Sequence, residues 1–149
     1  MGLYACFSEA RERRKEVRAQ LDRAQEYLLS IESASRAFHT AESYGETKAM
    51  DLQACIDVFE RKLRRITCVE VDCMTEQIVS FRRAITLNNF GKSEFNTQGA
   101  QSEILGAISD AVFGIEDALE SQYAARYPNK FPYFRIWKFS RDIPNKTAP

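Results

Sequence analysis

Four cysteines and one histidine are the residues of this chain whose types best suit chemistry: Cys6, Cys55, Cys68, Cys73 and His39. A thiolate beside an imidazole base is a nucleophile, and the same groups are zinc ligands. Cys68 and Cys73 have C-x4-C spacing, with Cys55 upstream. On a helix those five positions turn the two thiols onto different faces, and Cys55 stands about 20 Å from Cys68. The same geometry disfavours disulfides among the three, so they read as small buried hydrophobes. A loop over Thr67–Asp72 would improve the zinc reading. His39, at the far end of its helix, is a poor base for any thiol or serine; near a helix C-terminus a partial positive charge is welcome. No G-x-S-x-G, Gly-rich phosphate loop, H-E-x-x-H or paired Glu-x-x-His occurs. The expectation is a non-enzyme with no cofactor and no resident metal, with a small zinc-binding regulator as a secondary alternative.

The N-terminus carries a second pattern. Gly2 follows Met1, Cys6 stands nearby, and Arg11, Arg13, Arg14, Lys15 and Arg18 follow. Myristoyl on Gly2, palmitoyl on Cys6 and a polybasic patch would together anchor a protein to a membrane surface. Cys6 departs from the strict pattern, which wants Ser or Thr at that place. The plainer reading is that Leu3, Tyr4 and Phe7 tuck against the end of the fold as a hydrophobic staple.

A third pattern lies at the other end. Tyr133, Phe134, Arg135, Trp137, Lys138 and Phe139 interleave aromatic and basic side chains. Such a segment can anchor a protein partner, stack single-stranded nucleic acid, or fill a groove between helices. The chain has 21 basic and 21 acidic side chains, so net charge argues against general affinity for nucleic acid or membrane.

The elements that must position these groups are legible in the apolar spacing. Val17, Leu21, Ala24, Leu28, Ile31, Ser35 and Phe38 follow one another at alternating steps of four and three. That is a heptad seam, which needs a partner surface to hide it from water. Leu52, Ile56, Phe59, Leu63 and Ile66 form a second run, and Val71, Met74, Ile78, Phe81 and Ile85 a third. No Gly, Pro or Asn separates these two runs, so a stutter in one continuous helix is expected there, with a short strand over the β-branched ITCVEV as the competing reading. A last run, Ile104, Ile108, Ala111, Ile115, Ala118 and Gln122, includes Gly106 and Gly114 nearby, which suggest close approach to a neighbour. All four prolines stand at or beyond Pro128.

The expected fold is all-α: an elongated up-down-up three-helix bundle, with helices over about 8–42, 47–88 and 97–127. Residues 1–127 form the bundle domain, and 128–149 an extended aromatic segment packed on it. Ser8, Thr47 and Thr97 are the expected helix starts. Hairpin registry sets residue i of helix one level with about 89 − i. Arg11–Arg18 then face Glu70, Asp72 and Glu76, while Arg61, Lys62, Arg64 and Arg65 face Glu116, Asp117 and Glu120. No secretory signal and no run of ~20 apolar residues is visible, so the expected location is intracellular (cytoplasmic), with membrane association possible through the N-terminus. The expected function is protein–protein interaction, as an adaptor, inhibitor or assembly subunit, through an exposed helix face or the segment Tyr133–Phe139. Self-association is equally compatible with the seams, and nucleic acid is not the expected partner.

Overall fold

The computed structural model describes residues 2–128, with side chains from Ser8 onward. Every described element is helical. Four α-helices follow one another: α1 (Gly2–His39), α2 (Glu46–Leu63), α3 (Thr75–Thr86) and α4 (Glu103–Arg126), with a 3-10 turn (Val71–Met74) leading into α3. None of them is long and apolar enough to cross a membrane.

The long helix expected over 47–88 is two helices, so the bundle has four members rather than three. The chain turns between Leu63 and Val71 without Gly or Pro. Arg65 N–H donates to Lys62 O at 3.0 Å, Ile66 N–H to Leu63 O at 3.1 Å and Val69 N–H to Ile66 O at 3.0 Å. These three-residue bonds tighten the helix end, and β-branched Ile66, Thr67, Val69 and Val71 resist helix continuation. Ile66, Cys68, Val69 and Val71 are all buried. A straight helix would carry the Val71–Ile85 run past the surface that covers Leu52–Leu63; folding back lets both runs close on one core. The competing strand reading of this stretch fails as well.

The other bounds shift for local reasons. α1 begins at Gly2 instead of Ser8, because nothing between them breaks a helix, and it stops at His39. Thr40 Oγ1 donates to Arg36 O at 2.9 Å, a side-chain bond that competes with helix continuation. Gly45, extended at φ −116 and ψ 102, precedes α2 in place of the expected Thr47 cap. α4 starts at Glu103 rather than Thr97, and Ser102 caps it by accepting from Leu105 N–H at 3.4 Å. Residues 97 and 98 are held elsewhere: Gln98 N–H donates to His39 O at 2.9 Å and Thr97 Oγ1 to Ala41 O at 2.8 Å.

α1 packs against α2 and α4, and α3 packs against α4. Contacts fix their directions. Tyr27 meets Phe59 at 6.4 Å, while Gln20 and Arg23, earlier on α1, lie beside Lys62 and Arg65, later in the chain, so α2 runs back along α1. Arg18 bonds Glu120 while Arg36 bonds Ser109, so α4 also runs antiparallel to α1. Phe59 and Phe81 meet at 6.0 Å, and Arg82 reaches Asp57 and Glu60, bridging α2 to α3.

All seven seam residues of α1 are buried, and so are both later runs. Each fully buried Leu, Ile or Phe contributes about 1.5–3 kcal/mol relative to exposure. On α4 Ile108 and Ile115 of the expected run are buried, but the stripe is completed by the neighbouring Leu105, Val112 and Leu119 in place of Ile104, Ala111, Ala118 and Gln122. Gly106 and Gly114 consequently face open space: a Cβ built on either meets nothing within 4 Å, and no close approach uses them.

Candidate docking surface

The chemistry-bearing residues fall into two kinds of environment, one closed and one open. The closed one surrounds His39, which is fully buried where α1 ends. Asn89 Oδ1 accepts the Asn96 N–H, which leaves the Asn89 NH2 group facing His39 Nδ1 at 3.2 Å. Nδ1 is therefore an acceptor, and Nε2–H donates to Ile85 O at 3.2 Å. The ring is held as one neutral tautomer. Burial pushes its pKa below the ordinary value, only partly opposed by the Ile85 bond. This corrects the expectation of a partly charged surface histidine. Asn89 takes the left-handed backbone at φ 57, which Asn tolerates better than most residues. Around the polar pair stand aromatic rings: Phe38 lies 5.1 Å from Phe90, 5.5 Å from Phe95 and 6.0 Å from Tyr44. These contacts pin the long 87–102 connection onto the end of the bundle.

The three described thiols do not converge on this imidazole. Cys55 is on α2 beside the Tyr27 hydroxyl, Cys68 is buried in the 63–71 turn, and Cys73 is exposed and donates Sγ–H to Glu70 at 3.5 Å. Burial pushes the Cys68 thiol pKa up, and the bond to Glu70 does the same at Cys73. Both shifts disfavour the thiolate that ligation or nucleophilic attack requires. Thr67–Asp72 is indeed a turn, yet among the described residues no three His, Cys, Asp or Glu side chains gather as a metal site.

The open environment is the flank where α1 meets α4. On α1, Asp22, Gln25, Glu26 and Leu29 lie on one face by their three- and four-residue spacing; Phe113, Glu116, Asp117 and Glu120 do the same on α4, and together the two faces line one groove. Arg18 ties its lower end. Its Nη1 meets Glu120 Oε2 at 2.7 Å, its Nε meets Asp22 Oδ1 at 2.8 Å, and its guanidinium lies 5.3 Å from the Tyr123 ring centre. Gln25 Nε2 also donates to Glu120 at 2.9 Å. The Arg18 hydrogen bond holds the Glu120 carboxyl below its ordinary pKa, and the same bond raises Arg18. Above the groove, Arg36 and Ser109 close the seam through Glu32. Between these two tied points, Phe113 is 69% exposed and Leu29 47%. Among the described residues, Glu26, Glu116 and Asp117 have no ion-pair partner.

The residues singled out in the sequence distribute unevenly. Arg11, Arg14, Lys15 and Arg18 share one face of α1, beside Tyr123, whereas Arg13 points to another, beside Val17 and Tyr127. Arg18 pairs with Glu120 of α4, not with the expected acids at 70–76; Glu70 is instead joined to α4 through its backbone, its N–H donating to Gln122 Oε1 at 2.6 Å and its O accepting from Gln122 Nε2 at 3.2 Å. Lys62 stacks on Tyr27 and Arg65 lies beside Gln20 and Arg23, so neither faces 116–120 as registry arithmetic implied. Gly2 and Cys6 belong to the first turns of α1. Tyr133, Phe134, Arg135, Trp137, Lys138 and Phe139 lie outside the described residues. The Leu29–Phe113 pair escaped the sequence reading. Its signal was there: each is an apolar residue next to a seam residue, Leu28 or Val112, and about 100° off the seam.

No family model, curated protein or solved structure matches this chain.

Proposed function

We propose that this chain is a non-enzymatic protein-interaction module, and that the α1/α4 flank is its docking surface. One observation carries the reading: two large apolar side chains, Phe113 and Leu29, stand exposed in one groove beside Glu26, Glu116 and Asp117, which have no ion-pair partner among the described residues. An exposed aromatic ringed by polar groups has the composition of an interface centre, where a buried aromatic anchor dominates binding. The rest of the fold supports this role. The single histidine is enclosed and neutral, and the described cysteines, Cys55, Cys68 and Cys73, stand apart from it. The partner suited to the flank presents an apolar anchor with basic neighbours. Capture from an extract of the native host tests it: Phe113→Asp loses the captured partner while helicity by circular dichroism stays unchanged. Equal capture by the variant contradicts the assignment.

A further inference from the structure

We infer that the α1/α4 groove is the seat of this chain's own segment 130–141, held intramolecularly against Phe113, Leu29, Glu116 and Asp117. The inference rests on reading that flank as a docking surface, and it names the first occupant.

Charge segregation is the first argument. Residues 129–149 carry five basic side chains (Lys130, Arg135, Lys138, Arg141 and Lys146) and one acidic, Asp142. The whole chain has 21 of each, so residues 1–128 carry 16 basic and 20 acidic, a net −4 against +4. The neutrality of the chain is the sum of two opposed parts. In the groove, Glu26, Glu116 and Asp117 are the carboxylates left without cations, since Arg18 serves Asp22 and Glu120.

Apolar complementarity is the second. Tyr133, Phe134, Ile136, Trp137 and Phe139 alternate with Arg135 and Lys138. The groove presents the matching mixture, an exposed ring and an exposed Leu beside acids.

Reach is the third. Tyr127 lies beside Arg13 and Val17, yet its O accepts from Arg14 Nη2 at 3.3 Å, and Arg14 shares with Arg18 and Asp22 the face of α1 that lines the groove higher up. From Arg14 to Leu29 is about 22 Å along a helix, at 1.5 Å per residue. Seven residues of extended chain cover about 23 Å, which sets Phe134–Trp137 level with Leu29 and Phe113. Tethering makes the local concentration of the segment on the order of millimolar, so even weak complementarity fills the groove. A partner of the flank then has to displace a built-in competitor.

The test uses the full-length protein and its single tryptophan, Trp137. In the wild type, Trp137 emission is blue-shifted from that of the same chain in denaturant, and acrylamide quenches it severalfold less. Glu116→Lys with Asp117→Lys, and separately Phe113→Asp, restore the exposed emission and quenching while circular dichroism is unchanged. Zero-length carbodiimide cross-links join Lys130 or Lys138 to Glu26, Glu116 or Asp117, with Lys15–Glu12, 2.9 Å apart, as the internal control. An exposed Trp137 in the wild type overturns the inference. So does protection that survives both variants, or protection that grows with protein concentration, which would assign the segment to a second copy. Because no external partner is present, this failure is separate from a failure of partner capture: either result stands without the other.

Discussion

Two places along the buried seam of α1 are built in opposite ways, the C-terminal end at His39 and the middle at Leu29. At His39 the polar groups turn inward and satisfy one another: imidazole to Ile85 O, Asn89 to imidazole, Asn96 to Asn89. At Leu29 and Phe113 the apolar groups turn outward, beside Glu26, Glu116 and Asp117, which meet no cation among the described residues. Buried polar atoms without partners are costly, so a closed polar cluster belongs to folding. An exposed ring contributes little to a core; beside a second exposed apolar side chain, Leu29, it suits the proposed contact surface. The difference places the buried imidazole within the packing of the fold, and the proposed recognition role falls to residues that look inert.

Substitutions can break this division, and the largest effect is expected at the closed end. Phe38→Ala removes a ring packed against Tyr44, Phe90 and Phe95, and costs about 3–5 kcal/mol in denaturant unfolding. A loss under about 1 kcal/mol would show that the 87–102 connection is not pinned there. Asn89→Ala removes the partner of both His39 Nδ1 and Asn96 N–H, and costs about 1–3 kcal/mol by the same measurement. Asn89→Gly, which suits φ 57 but lacks the amide, separates the lost bonds from backbone strain.

Acid sharpens the comparison. The His39 pKa is lowered in the folded chain, so the unfolded chain binds more protons below its ordinary value of 6.5. The contribution is fully present above about pH 6.5 and is lost as pH falls through the lowered folded value. Thermal unfolding should fall with acidification over that window, and His39→Gln should flatten the dependence. An equally steep profile in the variant would place the titration elsewhere.

The smallest effects belong to the open side of α4. Gly114→Ala adds a Cβ into open space within a helix and stabilises by about 1 kcal/mol. Phe113→Ser changes stability by no more than about 0.5 kcal/mol, as expected for a side chain outside the core. A larger loss would make the ring part of the fold.

Much of this was legible beforehand and some was not, for reasons that differ by residue. The seam Val17–Phe38 dictated its own burial, since a four-three spacing leaves one continuous stripe. The apolar residues of both later runs were also visible, but not the fold-back between them. No breaker marks it; the turn is held by burial of Ile66, Cys68, Val69 and Val71, a tertiary effect that local spacing does not report. Registry arithmetic assumed one unbroken second helix, so the pairings it implied for Arg18, Lys62 and Arg65 moved once the chain folded back between Leu63 and Val71. The role of His39 depended on Asn89, fifty residues away. The docking surface was hidden by contrast: Leu29 and Phe113 each sit beside a stronger signal, the seam residue next door.

The central claim is that the flank recognises partners while the fold stands without it. The most direct measurement compares quantitative capture and thermal unfolding for three full-length proteins: wild type, Leu29→Asp/Phe113→Asp, and Met50→Asp. Met50 is also exposed, at 65%, but on α2 and away from the groove. The account predicts coincident unfolding curves, capture lost with the flank variant and capture retained with Met50→Asp. Equal capture by all three proteins, or unfolding of the flank variant at a markedly lower temperature, would contradict it.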